Sequence, residues 1–174
     1  MPFYPGPGLG GHCLPVDPLY LSWKLRSHNY TARFIELAQT VNASMPRFVV
    51  DLALNVLNDH GKPLNGSKVA VLGVAYKRDV DDVRESPALE IIQLLERKGA
   101  VVVYADPHVS SVTIQGRIYN ASPLKDALDD VDLSIITTAH SALPWHTVIE
   151  RSPLILDTRK DRKSTRLNSS HTVI

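Results

Sequence analysis

The chain has 174 residues, enough for one domain or one and a fraction, and its 44% hydrophobic content can fill a core. A net charge of +1 argues against a general nucleic-acid or polyanion binder, and no run of ~18 apolar residues is present to span a membrane. No basic-then-apolar start marks a secretory signal, so the expected compartment is the reducing cytoplasm, where a single free cysteine is at home.

Residues 2–18 hold four glycines and five prolines, which predicts an ordered loop. Asp17 or Pro18 is expected to open a helix through Tyr20, Leu21, Trp23 and Lys24, with Asn29 near its end. Thr31 is placed to cap the next segment, in which Phe34, Leu37, Ala38 and Val41 recur at helical spacing. Phe48, Val49, Leu52, Val56 and Leu57 continue the pattern after Pro46, which starts a new helix or kinks a long one. This amphipathic segment has no strand to cover, so it is expected to pack against another domain or subunit. In an isolated chain, Phe48, Leu52 and Val56 would then stay exposed.

From Ser67 the texture changes. Apolar runs at 69–72, 101–104, 133–136 and 154–156 read as strands, with a shorter one around Arg117-Ile118-Tyr119. Helical patterns separate them at 87–98, 124–131 and 143–151. Near-continuous apolar strands alternating with helices predict a small doubly wound parallel sheet covered on both faces. The fold class is therefore α/β, a helical linker segment followed by that sheet domain. Its organisation is 1–66, the cysteine loop and helices; 67–160, the sheet domain; and a tail at 161–174.

Cys13 is the only cysteine, so it has no disulfide partner in the chain and no multi-cysteine metal site to join. A lone cysteine is commonly a small buried apolar residue. Here it sits in Gly8-Leu9-Gly10-Gly11-His12-Cys13-Leu14-Pro15-Val16-Asp17, with glycines that admit a ligand and a carboxylate four residues on. That setting suggests a covalent nucleophile. The run Gly6-Pro7-Gly8-Leu9-Gly10-Gly11 fails as a dinucleotide fingerprint, since no strand precedes it and the spacing differs.

Gly-Gly-His-Cys-Leu-Pro-Val-Asp-Pro at 10–18 resembles the active-site loop of the nucleotide-sugar 6-dehydrogenases, the UDP-glucose/UDP-N-acetylhexosamine dehydrogenase family. Arg33-Phe34-Ile35-Glu36-Leu37-Ala38, Ala75-Tyr76-Lys77, Asp82-Val83-Arg84-Glu85-Ser86-Pro87 and Asp106-Pro107-His108 extend the likeness over roughly residues 3–159. His12 and Val16 stand where the glucose branch usually differs, so the loop is more similar to the N-acetylhexosamine branch.

The resemblance implies a Rossmann-like UDP-sugar-binding domain and NAD-dependent oxidation of a sugar C6 alcohol to a carboxylate. It makes Cys13 the nucleophile toward the intermediate aldehyde and Asp17 a carboxylate that positions water or a lysine; as a bare residue, Asp17 is a helix N-cap. Tyr4 and backbone near Gly10 would contact the sugar nucleotide, with Phe3 and Pro5 as weaker candidates. Lys77 would meet the pyrophosphate, and Arg84 would reach the cofactor across a cleft. Without the resemblance, Lys77 is a solvated charge and Arg84 a helix-start ion pair. His12 is either a loop residue held by backbone or a contact near the thiol or N-acetyl group.

Asp79, Asp81 and Asp82 read as solvated turn carboxylates. His108 and His140 read as structural or rim residues, and no metal is expected. The implied substrate is a UDP-N-acetylhexosamine, UDP-N-acetylglucosamine first and UDP-N-acetylmannosamine as the alternative, feeding bacterial surface-polysaccharide synthesis. A non-catalytic nucleotide-sugar-binding module is the competing class. The family's N-terminal NAD-binding domain does not precede Pro2, so Met1 is expected to be a truncation point or internal start. The chain alone should then be inactive, and the full-length protein a homo-oligomer. Residues 161–171 match the translation of a common sequencing-library adapter, so the tail is expected to be non-native and without function.

Overall fold

The computed structural model describes residues 6–159; Tyr4, Phe3, Pro5 and the tail lie outside the described residues. Two helices come first, α1 (Cys13–Arg26) and α2 (Arg33–Asp59). Then follow β1 (Lys68–Leu72), α3 (Pro87–Arg97), β2 (Val101–Ala105), β3 (Ser111–Ile114) and β4 (Arg117–Asn120). The chain closes with α4 (Leu124–Ala127), β5 (Leu133–Ile136), α5 (Trp145–Arg151) and β6 (Ile155–Asp157).

β1, β2, β5 and β6 form one parallel sheet in the order β2-β1-β5-β6, with Val69 opposite Val102 and Leu133. Side chains alternate across a strand, so each strand feeds two cores. Val69, Val71, Leu133, Ile135 and Leu156 join α2 and α3 on one face. Ala70, Leu72, Ile136 and Ile155 join Ala127, Leu128 and Val148 on the other. Both faces are covered, and the sheet is doubly wound as expected.

α2 departs from the sequence reading. Val49, Val50, Ala53, Val56 and Leu57 are all buried in the core against the sheet. The second half of this helix therefore does have strands to cover, and Val56 is buried rather than exposed; Phe48 remains exposed. Pro46 neither breaks the helix nor starts another. Its missing N–H leaves the Asn42 carbonyl without an intrahelical donor at mid-helix. Along the first half of α2, and along α1, large apolar side chains stay outside: Tyr20, Trp23, Phe34, Leu37 and Val41. Ser22 and Arg26 of α1 both bond Glu36 of α2, at 3.1 and 2.7 Å, and fix one helix against the other.

Several boundaries also move. α1 begins at Cys13, four residues before the expected start, so Asp17 lies in its second turn and is not its N-cap. Pro15 is tolerated because the first-turn N–H groups have no intrahelical acceptor. Ala32, not Thr31, precedes α2, and no side chain caps it. α4 is one turn only, Leu124–Ala127, where a helix over 124–131 was expected. The strand at Arg117 belongs to a separate antiparallel hairpin with β3, joined through Gln115 and Gly116, both at positive φ. The hairpin is held by Tyr119, whose hydroxyl donates to Glu96 at 2.6 Å, and by buried Tyr104, whose hydroxyl donates to the Tyr119 carbonyl at 3.4 Å. Burial, helped by the Asp106 charge, pushes the Tyr104 phenol up to about 12. Among the described residues, no helix is long and apolar enough to cross a membrane.

Candidate functional site

In the order β2-β1-β5-β6 the chain steps outward from β1 to β2, then returns past β1 to β5. The strand order therefore reverses between β1 and β5, and open parallel sheets bind ligands beyond the carboxyl ends of the strands at such a reversal. The loop after β1 runs from Gly73 to Ser86 and carries Tyr76, Lys77 and Arg84. The loop after β5 carries Thr137, Thr138, His140 and Ser141.

The two loops are laced together. Thr137 donates to the Gly73 carbonyl, and Thr138 donates to the Ala75 carbonyl at 2.6 Å. Arg78 donates to Ser141 Oγ at 2.9 Å; Ser141 in turn donates to Asp79 through its N–H and hydroxyl, at 2.7 and 2.6 Å. Those last two bonds, hydroxyl first, hold the Asp79 carboxyl below the usual carboxylate range.

Beneath them lies Asp106, at the end of β2. Its Oδ2 accepts from Val74 N and Ala75 N at 2.7 and 3.2 Å, and its Oδ1 from His108 N and Val109 N at 2.8 and 3.1 Å. His140 Nδ1 accepts from Asp79 N at 3.0 Å, so the ring proton sits on Nε2 and points to Asp106 Oδ2 at 3.1 Å. Burial acts to raise the Asp106 carboxyl. The His140 bond and the His108 and Val74 amides outweigh it and keep the carboxyl below its ordinary value.

Asp79, His108 and His140 each bring a ligating atom within 4.8 Å of the others, a gathering the sequence reading did not foresee. The His140 Nδ1 lone pair is already occupied by the Asp79 amide, so a cation there would have to displace that bond. The geometry is that of a hydrogen-bonded tether.

The glycine loop comes onto this site from outside. Gly11 N donates to the Arg84 carbonyl at 2.9 Å. A Cβ on Gly10 would lie 2.5 Å from Tyr76 Cβ and 3.1 Å from the Glu85 carbonyl, so only glycine permits this approach. Cys13 follows directly as the first residue of α1, with its thiol exposed. Its Sγ stands 3.9 and 4.0 Å from the two ring nitrogens of His12, at the outer edge of sulfur's hydrogen-bonding range. Asp17 is exposed one turn further on, and i,i+4 spacing puts it on the same helix face as Cys13.

Lys77 is exposed and, among the described residues, has no hydrogen bond or ion pair. Arg84 clasps Asp82 with both Nε and Nη2, at 3.0 and 2.6 Å. That contact raises the guanidinium and lowers the carboxyl, and the fields of Cys13 on Arg84 and of His12 on Asp82 act in the same directions. The structure thus docks Gly10 and Gly11 on the loop of Tyr76 and Arg84, which also carries Lys77, and Cys13 and Asp17 follow on α1. The sequence reading passed over Arg159, two residues past the end of β6. Its guanidinium lies against Gly6 and donates to the Thr137 carbonyl at 2.7 Å. A cation just past the last strand was the available signal.

Residues 70–162 match the family model for the UDP-binding domain of the UDP-glucose/GDP-mannose dehydrogenase family, and residues 1–44 match the model for its central domain. The chain belongs to this family. The central-domain match ends within α2 and the UDP-binding match begins in β1, so the two regions are joined by the helix that enters the sheet core.

The chain is 35% identical over 138 residues to the UDP-N-acetyl-D-mannosamine dehydrogenase of Methanococcus maripaludis, covering 79% of this chain and 30% of that protein. It is 36% identical to the UDP-glucose 6-dehydrogenase of Rickettsia bellii, covering 94% of this chain and 39% of that protein. Among solved structures, the UDP-D-ManNAc dehydrogenase of Pyrococcus horikoshii superposes with a TM-score of 0.79 at 29% identity, over 97% of this chain and 39% of that one. The NDP-N-acetyl-D-galactosaminuronic acid dehydrogenase of Methanosarcina mazei also gives 0.79, at 30% identity, over 91% of this chain and 36% of that one. The chain therefore spans well under half the length of these relatives.

Proposed function

We propose that this chain is the C-terminal part of an NAD-dependent UDP-N-acetylhexosamine 6-dehydrogenase, holding the UDP site and the nucleophilic cysteine. One observation carries the reading: the glycine loop that ends in Cys13 is docked on the β1–α3 loop that carries Lys77 and Arg84, where the strand order reverses. A diphosphate placed there meets Lys77, a cation with no other side-chain partner among the described residues, and the sugar then extends toward the thiol.

In this reading Cys13 Sγ, as thiolate, attacks the C6 aldehyde carbon. The new C–S bond leaves charge on the former carbonyl oxygen. At the thioester stage, water adds to the same carbon, the C–S bond breaks, and the products are the carboxylate and the restored thiol. Sulfur suits both halves, since a thiolate is nucleophilic near neutral pH and a thioester is readily hydrolysed. Asp17, on the same face of α1, orients the water or a neighbouring lysine. Gly10 and Tyr4 contribute to the sugar-nucleotide contact.

NAD, when bound, takes up the hydride of each oxidation. Arg84 is the one group assigned to it here, an exposed guanidinium whose bond to Asp82 leaves donors open to a phosphate. The main cofactor contacts belong to an N-terminal domain, and the apolar side chains left outside on α1 and α2 suit a covering domain or second copy. A free reactive thiol fits a cytoplasmic protein. Relatives bearing the N-acetyl-D-mannosamine name make that epimer at least as strong a candidate as N-acetylglucosamine.

The test is a full-length protein carrying this segment, given NAD and either UDP-N-acetylglucosamine or UDP-N-acetylmannosamine. Two NADH per uronate formed from one of them is expected. UDP binding without turnover of any UDP-sugar would favour the non-catalytic module instead.

A further inference from the structure

We propose that His140 is a positioning residue for the nucleotide site, acting through the buried Asp106 to hold the loop that presents Lys77. The inference rests on the nucleotide-site reading above and names a determinant outside the residues that would touch the ligand.

The argument starts from where the loop is anchored. Between Leu72 and Ser86 there is neither helix nor strand, yet Lys77 must stand at a fixed height above the sheet to meet a phosphate. Two sets of amides pin the loop on either side of Lys77. Val74 N and Ala75 N donate to Asp106, and Asp79 N donates to His140 Nδ1. Asp106 and His140 are joined by the Nε2–H bond at 3.1 Å, and both side chains are fully buried. The two anchors are thus one unit, with Lys77 carried on the short span between them.

Asp106 is itself fixed from the far side by the His108 and Val109 amides. Each of its oxygens already has donors, so it cannot swing to follow a displaced loop. His140 supplies both a donor and an acceptor at fixed separation, which neither an aliphatic nor a phenyl ring can do. Losing it leaves the Asp79 amide without its acceptor and one site on the buried Asp106 carboxylate without a donor.

The test uses this chain and UDP as the probe. Affinity is measured by titration calorimetry for wild type, His140→Phe, Lys77→Ala and the double variant. His140→Phe should weaken UDP about tenfold in the wild-type background, the size of one misplaced charge-assisted contact. In the Lys77→Ala background it should change affinity by less than about twofold, because the contact it positions is gone. Equal losses in both backgrounds, or none in either, overturn the proposal.

If His140→Phe does not fold, His140→Gln keeps a donor and an acceptor but cannot hold them at the imidazole's fixed separation between Asp106 and the Asp79 amide. It should show the same dependence on Lys77 at smaller size, and a wild-type affinity would overturn the proposal. If Lys77→Ala itself leaves UDP binding unchanged, the nucleotide reading fails. The tether is then judged by hydrogen exchange: faster exchange at Val74, Ala75 and Asp79 in His140→Gln supports it, and unchanged exchange overturns it.

Discussion

Gly10 and Tyr76 stand so close that a Cβ on the glycine would lie 2.5 Å from the tyrosine Cβ. This contact joins the cysteine loop to the sheet domain, and with the Gly11–Arg84 bond it docks the segment leading into Cys13 on the loop that carries Lys77. Gly10→Ala should therefore undock the loop, at a cost of about 1–3 kcal/mol from overpacking. Tyr76→Ala should restore part of the loss, and only part, because the Glu85 carbonyl also crowds the site at 3.1 Å. Chemical denaturation of the single and double variants measures both effects; additive losses would place the strain elsewhere.

Asp106 gathers four backbone amides and an imidazole around one buried carboxylate. Its folded pKa is depressed, so its stabilisation is fully present above the ordinary carboxylate range and is lost as pH falls through the folded value. Acid should thus weaken the wild type in the low-pH range. Asp106→Asn should lose about 3 kcal/mol at neutral pH, since its amide nitrogen would face other donors, and should show a flatter acid limb. Urea midpoints from pH 7 downward for both proteins check the sign and the shape.

Leu57 of α2 is completely buried against the sheet, whereas Phe48, nine residues earlier, is about half exposed. Leu57→Ala should cost about 2–5 kcal/mol and Phe48→Ala less than about 1 kcal/mol. Comparable small effects would mean that the helix packs outside the core of the sheet domain.

The four parallel strands were legible because valine, leucine and isoleucine run nearly unbroken through them, and only a doubly covered sheet accommodates that. The partner of α2 was not legible. An amphipathic stripe such as Val49, Val56 and Leu57 shows that a face is buried, but not against what. The β3–β4 hairpin was half missed because its turn is Gln115-Gly116, a weaker signal than asparagine or aspartate before glycine.

At the site, Cys13, Gly10, Lys77 and Arg84 stood out by motif. The His140–Asp106 tether spans 34 positions and has no local pattern, so only the fold brings the two together. The motif marks Asp17 as a positioning carboxylate, while its type alone suggests a helix N-cap. The helix instead starts at Cys13, where a proline two residues on is harmless and the glycines before it end the loop.

Arg84 and Lys77 lie seven positions apart in one loop but are assigned to different ligands. In a full-length protein carrying this segment, Lys77→Ala should weaken UDP-sugar by about 1.5–3 kcal/mol and leave NAD within about twofold. Arg84→Ala should do the reverse, and it frees Asp82 as well. Titrating each ligand against each variant separates the roles; equal small effects would make both residues solvated charges.

The role of Cys13 is tested most directly by uronate formation in that full-length protein with Cys13→Ser. A serine keeps the size and position of the side chain, but its alkoxide is far harder to form near neutral pH than a thiolate. The expected result is loss of acid production with UDP-sugar affinity held within about twofold of wild type. Acid production at the wild-type rate would remove Cys13 from the chemistry and contradict the account.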